Sequence, residues 1–168
     1  MATTETLTTG RVVGTSVPRK EDRKLVTGNG QFIDNLNLPG QVWLAVVRSP
    51  HAHARITSVD LTKARALKGV TAAFSGAELA ADWAGSLPCA WPVTEDIKMP
   101  SHFPLAFDKA RHVGDGVAVV VAETRAIAKD AAELVQVEYE PLGVVTDVAR
   151  ALDPAAPLVH DDLETNEC

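Results

Sequence analysis

Two histidines one residue apart, His51 and His53, carry the most suggestive chemistry in this chain of 168 residues. In extended backbone, residues two apart point to the same side, so both imidazoles could address one metal ion. A closed site needs a third and a fourth ligand, and none lies nearby in sequence; His102 and His112 are far along the chain. The alternative is structural, with one ring on a strand-end carbonyl and the other facing solvent. Ser49 stands beside the pair but has no G-x-S-x-G elbow and no third member for a triad. Glu138 and Glu140 share one side of a strand, the ordinary polar half of an alternating pattern. The turn Thr27-Gly28-Asn29-Gly30-Gln31-Phe32 lacks the preceding strand, the following helix and the third glycine of a dinucleotide fingerprint. Gly114-Asp115-Gly116 leads into a strand, so its amides gain no helix N-terminus; a tight turn with positive φ is its reading. No catalytic, cofactor-binding or metal position is assigned.

Composition narrows the class. Net charge is −6, with acidic residues scattered along the chain, so there is no electrostatic footprint for nucleic acid or an anionic membrane. No apolar run approaches the length of a membrane span. Met1 to Leu7 has neither the basic nor the apolar region of a secretory leader. The two cysteines, Cys89 and Cys168, are far apart, which argues against a disulfide framework and makes a reducing cytoplasm the expected compartment.

The histidine stretch Arg48 to Ile56 must be positioned by the strands on either side of it. Val42-Trp43-Leu44-Ala45-Val46-Val47 is apolar without alternation, the pattern of a strand covered on both faces. Pro50 forces the chain out of the sheet, and Arg55 to Val59 returns as a second strand. Asp60 is placed to cap a short helix from Leu61 to Leu67, whose Leu61, Ala64 and Leu67 share a face. Val70 to Phe74 is the next strand, and Ser75 with Glu78 has the spacing of a capping box. Residues 82–112 read as a long excursion with one short strand near Leu105. Its Trp83, Trp91 and Phe103 either meet a partner domain or roof their own core. Val117 to Ala122 is again a strand buried on both faces. Thr124 caps a helix to Leu134 with Ile127, Ala131, Leu134 and Val135 on one side, and Val135 to Glu140 alternates until Pro141. Asp147 caps a last turn to Leu152. The whole reads as one α+β domain, a mixed sheet with helices packed on one face. Residues 1–18 form a loose arm, and Arg19 to Lys24 a solvated charged face.

An ordered set of segments resembles the N-terminal a/b hammerhead domain of the molybdenum hydroxylase large subunit. That family includes aldehyde oxidase, xanthine dehydrogenase and aerobic carbon monoxide dehydrogenase, whose large chain is the nearest in flavour. The segments are Arg19 with Asp22 and Leu25 to Asp34; Arg48 to Ile56; Gly69-Val70; Val113-Gly114 with Val117 to Val120; and Ala131 to Val135 with Val137 to Leu142. The resemblance implies a hammerhead over 19–153 and a segment 154–168 leading towards the molybdopterin-binding region. It also implies an assembly that uses molybdopterin, iron–sulfur clusters and FAD, and as partners the downstream molybdopterin domains and the iron–sulfur and flavin subunits. No position here matches the family's catalytic or molybdopterin-holding residues. The expectation is therefore a structural piece of an oxidoreductase, inactive alone, whose chain breaks off before those domains. The alternative is a free-standing module binding a metal or small ligand through His51 and His53.

Overall fold

Seven consecutive residues without a charge, Gly116-Val117-Ala118-Val119-Val120-Val121-Ala122, make the central strand of the molecule. β-Branched side chains suit pleated backbone, and a strand this apolar belongs in the middle of a sheet. The computed structural model describes residues 13–14, 16–88 and 93–167. The chain divides into two compact units, 1–40 and 41–168.

In chain order the second unit contains β1 (Trp43–Arg48), β2 (Ala54–Asp60), α2 (Thr62–Ala66), β3 (Val70–Ser75), α3 (Gly76–Leu79), β4 (Lys109–Ala110), β5 (Gly116–Ala122), α4 (Arg125–Glu133), β6 (Gln136–Pro141) and α5 (Val148–Ala151). Where the sequence suggested a single mixed sheet, these strands form two sheets of three. The first has the order β1-β5-β3, the second β4-β2-β6, and every pairing is antiparallel. The α+β class of the domain stands. Pro50 and the bends at 51–53 explain the division, because they carry the chain from β1 in one sheet to β2 in the other.

The core lies on one face of the first sheet. Leu61 and Ala64 of the α2 region and Ala131 of α4 pack on Ala73, Ala118 and Val120, with Val47, Val70 and Val135 at the margin. The small side chains of α4 let it approach closely: Ala128 and Ala131 are its buried residues. Of the expected face, Ala131 is buried and Val135 packs on the core; Ala128 joins them inside, and Leu134 is left on the surface. Gly69 has φ +91°, so the turn into β3 favours glycine, and a Cβ there would stand 2.8 Å from Ile127 Cδ1, the tip of a side chain that would have to move.

Local signals read well. Thr124 Oγ1 accepts from Ile127 N, and Asp147 Oδ1 from Arg150 N, so both caps form. Ser75 and Glu78 make the reciprocal capping box. Asp60 accepts from Thr62 N at 2.8 Å, although the helix begins one residue later than expected.

Two readings need correction. β1 is an edge strand rather than one covered on both faces, and Leu44 is 60% exposed. The short strand of the 82–112 excursion is Lys109–Ala110, not a segment at Leu105, because pairing with Ala54 and Arg55 defines it. Trp83 stacks on Phe103 at 5.4 Å, and Phe107 sits 5.3 Å from Phe103, the roof that is one of the two readings of these aromatics. Trp91 and both cysteines lie outside the described residues, as does most of the proposed arm.

The first unit carries a helix that the sequence did not announce, α1 (Asp22–Val26). Asn29 N donates to Lys24 O and Gly28 N to Leu25 O, with Gly28 at φ +71°, a Schellman ending. The glycine turn at 28–30 is this helix's C-cap, not a phosphate cradle.

Candidate functional site

The richest polar cluster forms where the β1–β2 loop, the turn before β5 and the C-terminal segment come together. Ser49 is 2% exposed and is clamped by backbone: its N–H donates to Asp115 O at 2.8 Å, and its carbonyl accepts from Gly114 N at 2.8 Å. Arg48 Nη1 donates to Gly114 O at 2.8 Å. Gly114 has φ +89°, the positive value expected from its sequence. Asp115 closes the same turn by accepting from Arg111 N at 3.0 Å. Gly116 is there for space: a Cβ would meet Leu105 and Val46 side chains at 3.1 and 3.2 Å.

The two histidines do not share a ligand geometry. Residues 51–53 are a string of bends, so the alternation that would align the rings is absent. His53 is buried, and its Nδ1 lies 2.8 Å from Gly143 O, past the end of β6. Its Nε2 is buried and has no hydrogen-bond partner. The His51 ring instead tilts against Tyr139 with centroids 5.0 Å apart. One ring thus takes a carbonyl beside a strand end, and the other packs on an aromatic side chain.

Ser49 has no base. Its Oγ accepts from His51 N at 3.0 Å and donates to His51 O at 3.1 Å, so the hydroxyl serves the turn. The Tyr139 hydroxyl also bonds Ser49, and burial raises the tyrosine pKa. Glu138 and Glu140 face solvent, where Glu140 pairs with Arg55 at 3.3 Å.

Sequence reading missed Lys109, Arg111, His160 and Asp161. The Lys109 ammonium, with a side chain 6% exposed, meets Asp161 at 2.5 Å. That hydrogen bond holds the Asp161 carboxyl below the usual carboxylate range. Arg111 forks onto Asp108 at 3.2 and 3.3 Å. Burial, seconded by the Arg111 charge, lowers the pKa of His160. Nothing local marks Lys109 and Asp161; their contact joins positions 52 apart, and a lysine in a strand ordinarily reads as exposed.

A cavity of about 160 Å³ brings together His102, His112, His160, Arg111 and Asp115. Even so, no group of three or more His, Cys, Asp or Glu side chains among the described residues could hold a metal ion. The chain's two cysteines fall short of the four thiolates that a typical iron–sulfur cluster takes. The guanidinium of Arg111 is occupied by Asp108 rather than presented to a phosphate. The residues here do not fit molybdopterin, an iron–sulfur cluster or FAD. What the cluster does chemically is lock strand ends together.

Known proteins match this architecture. The family described as aldehyde oxidase and xanthine dehydrogenase, a/b hammerhead domain, matches residues 27–143. The carbon monoxide dehydrogenase large chain of Afipia carboxidovorans is 40% identical over 152 residues, covering 90% of this chain and 18% of its own. The crystal structure of Cu,Mo-CO dehydrogenase superposes with a TM-score of 0.75 at 39% identity, over 89% of this chain and 18% of that one. Quinoline 2-oxidoreductase from Pseudomonas putida 86 gives 0.74 at 46% identity, over 83% and 18%. The chain spans under a fifth of the length of these relatives. No helix among the described residues is long and apolar enough to cross a membrane. With most of the chain matched in both sequence and fold, it belongs to the aldehyde oxidase and xanthine dehydrogenase a/b hammerhead domain family.

Proposed function

We propose that this chain serves as the N-terminal structural domain of a molybdopterin-dependent hydroxylase large subunit, in the cytoplasm. In this reading the hammerhead runs over 19–153, preceded by an arm at 1–18 and followed by a connecting segment at 154–168. Molybdopterin, iron–sulfur clusters and FAD belong to the rest of the assembly, and the chain alone turns over no substrate. One observation carries the reading: 40% identity across nine-tenths of this chain falls on less than a fifth of a carbon monoxide dehydrogenase large chain. The polar cluster supports it, since Ser49, Lys109 and Asp161 there are engaged in holding the fold. Comparable likeness to proteins named for carbon monoxide and for quinoline makes the domain a shared frame, with substrate choice residing elsewhere.

The test is a chimera in which this chain replaces the matching stretch of the Afipia carboxidovorans large chain. Recovery of soluble, protease-resistant large chain that joins its partner subunits is the expected result. A purified 168-residue chain that by itself oxidises an aldehyde, a purine or carbon monoxide would overturn the reading.

A further inference from the structure

Among the described residues, the first sheet has two apolar faces, and its helices cover only one of them. Register places Leu44 opposite Val121 and Val121 opposite Ala72; one step along, Val46 stands opposite Val119 and Val119 opposite Phe74. Directly opposed residues project to the same side, so these six side chains form two continuous apolar rows across β1, β5 and β3. The alternate residues, Ala118, Val120 and Ala73, face the helices. No charge interrupts the outer rows. Leu44 is 60% exposed and Phe74 40%, while Ala118 and Val120 are fully buried. At one end Val46 and Val119 lead into a groove of about 340 Å³, whose apolar wall is Leu79, Trp83 and Phe103 and which Arg48, His112 and Asp115 also line.

Strands that are apolar on both faces are the mark of a sheet covered on both sides, and a contiguous exposed apolar patch marks an interaction surface. We infer that this outer face and its groove are the docking surface for an aliphatic face of the remaining large-subunit polypeptide. The inference rests on the domain reading above. The occupant follows from length: the relatives carry more than four-fifths of their chain beyond the part matched here. A covering layer of that polypeptide completes a layered architecture that this sheet only half builds.

The double variant Leu44→Asp/Phe74→Asp tests it. In the 168-residue chain the two positions face water, so the melting temperature should hold and binding of an apolar dye should fall. In the chimera the same pair should cut recovery of assembled large chain at least about tenfold, because carboxylates would be trapped against apolar surface. A double-variant chimera that assembles as well as its parent overturns the docking inference and leaves the domain reading intact. If the parent chimera fails to assemble, the domain reading falls and the docking inference with it. Two other results also overturn the inference: unfolding of the 168-residue double variant, or a 168-residue dimer that the variant dissolves without affecting the chimera. The first would show the face already used within the chain, the second would give it to another copy.

Discussion

The two sheets have three strands each and are held by different forces. The first is built from Val, Ala and Leu and gains its stability from burial against α2 and α4. The second has an alternating strand, β6, a two-residue strand, β4, and ends tied by His53–Gly143, Lys109–Asp161 and Arg55–Glu140. Apolar contacts tolerate imprecise geometry, whereas each polar tie depends on one partner in one place. Damage to the first sheet should therefore be global, and damage to the second local and graded.

The strongest contrast lies between two faces of one strand system. Val120→Asp puts an unpaired charge among Leu61, Ala73 and Ala131 and should cost about 3–5 kcal/mol, seen as loss of the folded baseline in urea titration. Leu44→Asp, on the outer face of the same sheet, should fall within about 0.5 kcal/mol of the parent in the same titration. Equal losses at both positions would mean the outer face is already packed, and the distinction between the faces would collapse.

Gly76→Ala probes the seam between β3 and the long excursion. A Cβ at Gly76 would lie 2.3 Å from Ala106 O, a backbone atom that cannot swing aside. Overpacking of this kind should cost about 2–3 kcal/mol in urea titration. The same substitution at Gly85, where a Cβ meets nothing within 4 Å, should be nearly silent. Sequence gave no warning of this contact, and the reason is general to the molecule. Ser75 with Glu78, Thr124 and Asp147 were legible because each bond spans three residues. Val117 to Ala122 was legible because composition alone places it. The helix at 22–26 was not, since none of its five residues is buried and no apolar stripe betrays it. β4 was misplaced because two residues become a strand only through a partner about a third of the chain away. In the polar cluster Gly114 was readable from its neighbours, while Lys109 and Asp161 were not, for the same reason of distance.

His53 and His51 sharpen the comparison within the second sheet. His53→Ala removes the ring from Gly143 and leaves a buried hole, for an expected loss of about 1–2 kcal/mol. His51→Ala gives up only the contact with Tyr139 and should cost under about 1 kcal/mol. If the rings have separate jobs, the double variant should lose close to the sum in chemical denaturation. A loss far from the sum would reinstate a shared role.

Adjacent residues at the edge of the second sheet should lose stability in different pH windows. His160 has a folded pKa lowered from 6.5, so the unfolded chain binds its proton first as the pH drops. Its contribution is complete above 6.5 and declines below that value until the folded group also titrates. Asp161 has a folded pKa lowered from 3.8 by the Lys109 ammonium, so its contribution is complete above 3.8 and is lost as the pH falls through the folded value. The Lys109 side chain is buried, but the Asp161 side chain is 72% exposed, so water screens the pair from the carboxylate side. That keeps the effect under about 1 kcal/mol. Urea midpoints measured from pH 8 to 3 should therefore show two shallow steps in the parent. His160→Asn should remove only the upper step and Asp161→Asn only the lower, with the Asp161→Asn curve meeting the parent's in acid. A single step that vanishes in both variants would mean the groups titrate together, and the second sheet's ties would not be independent.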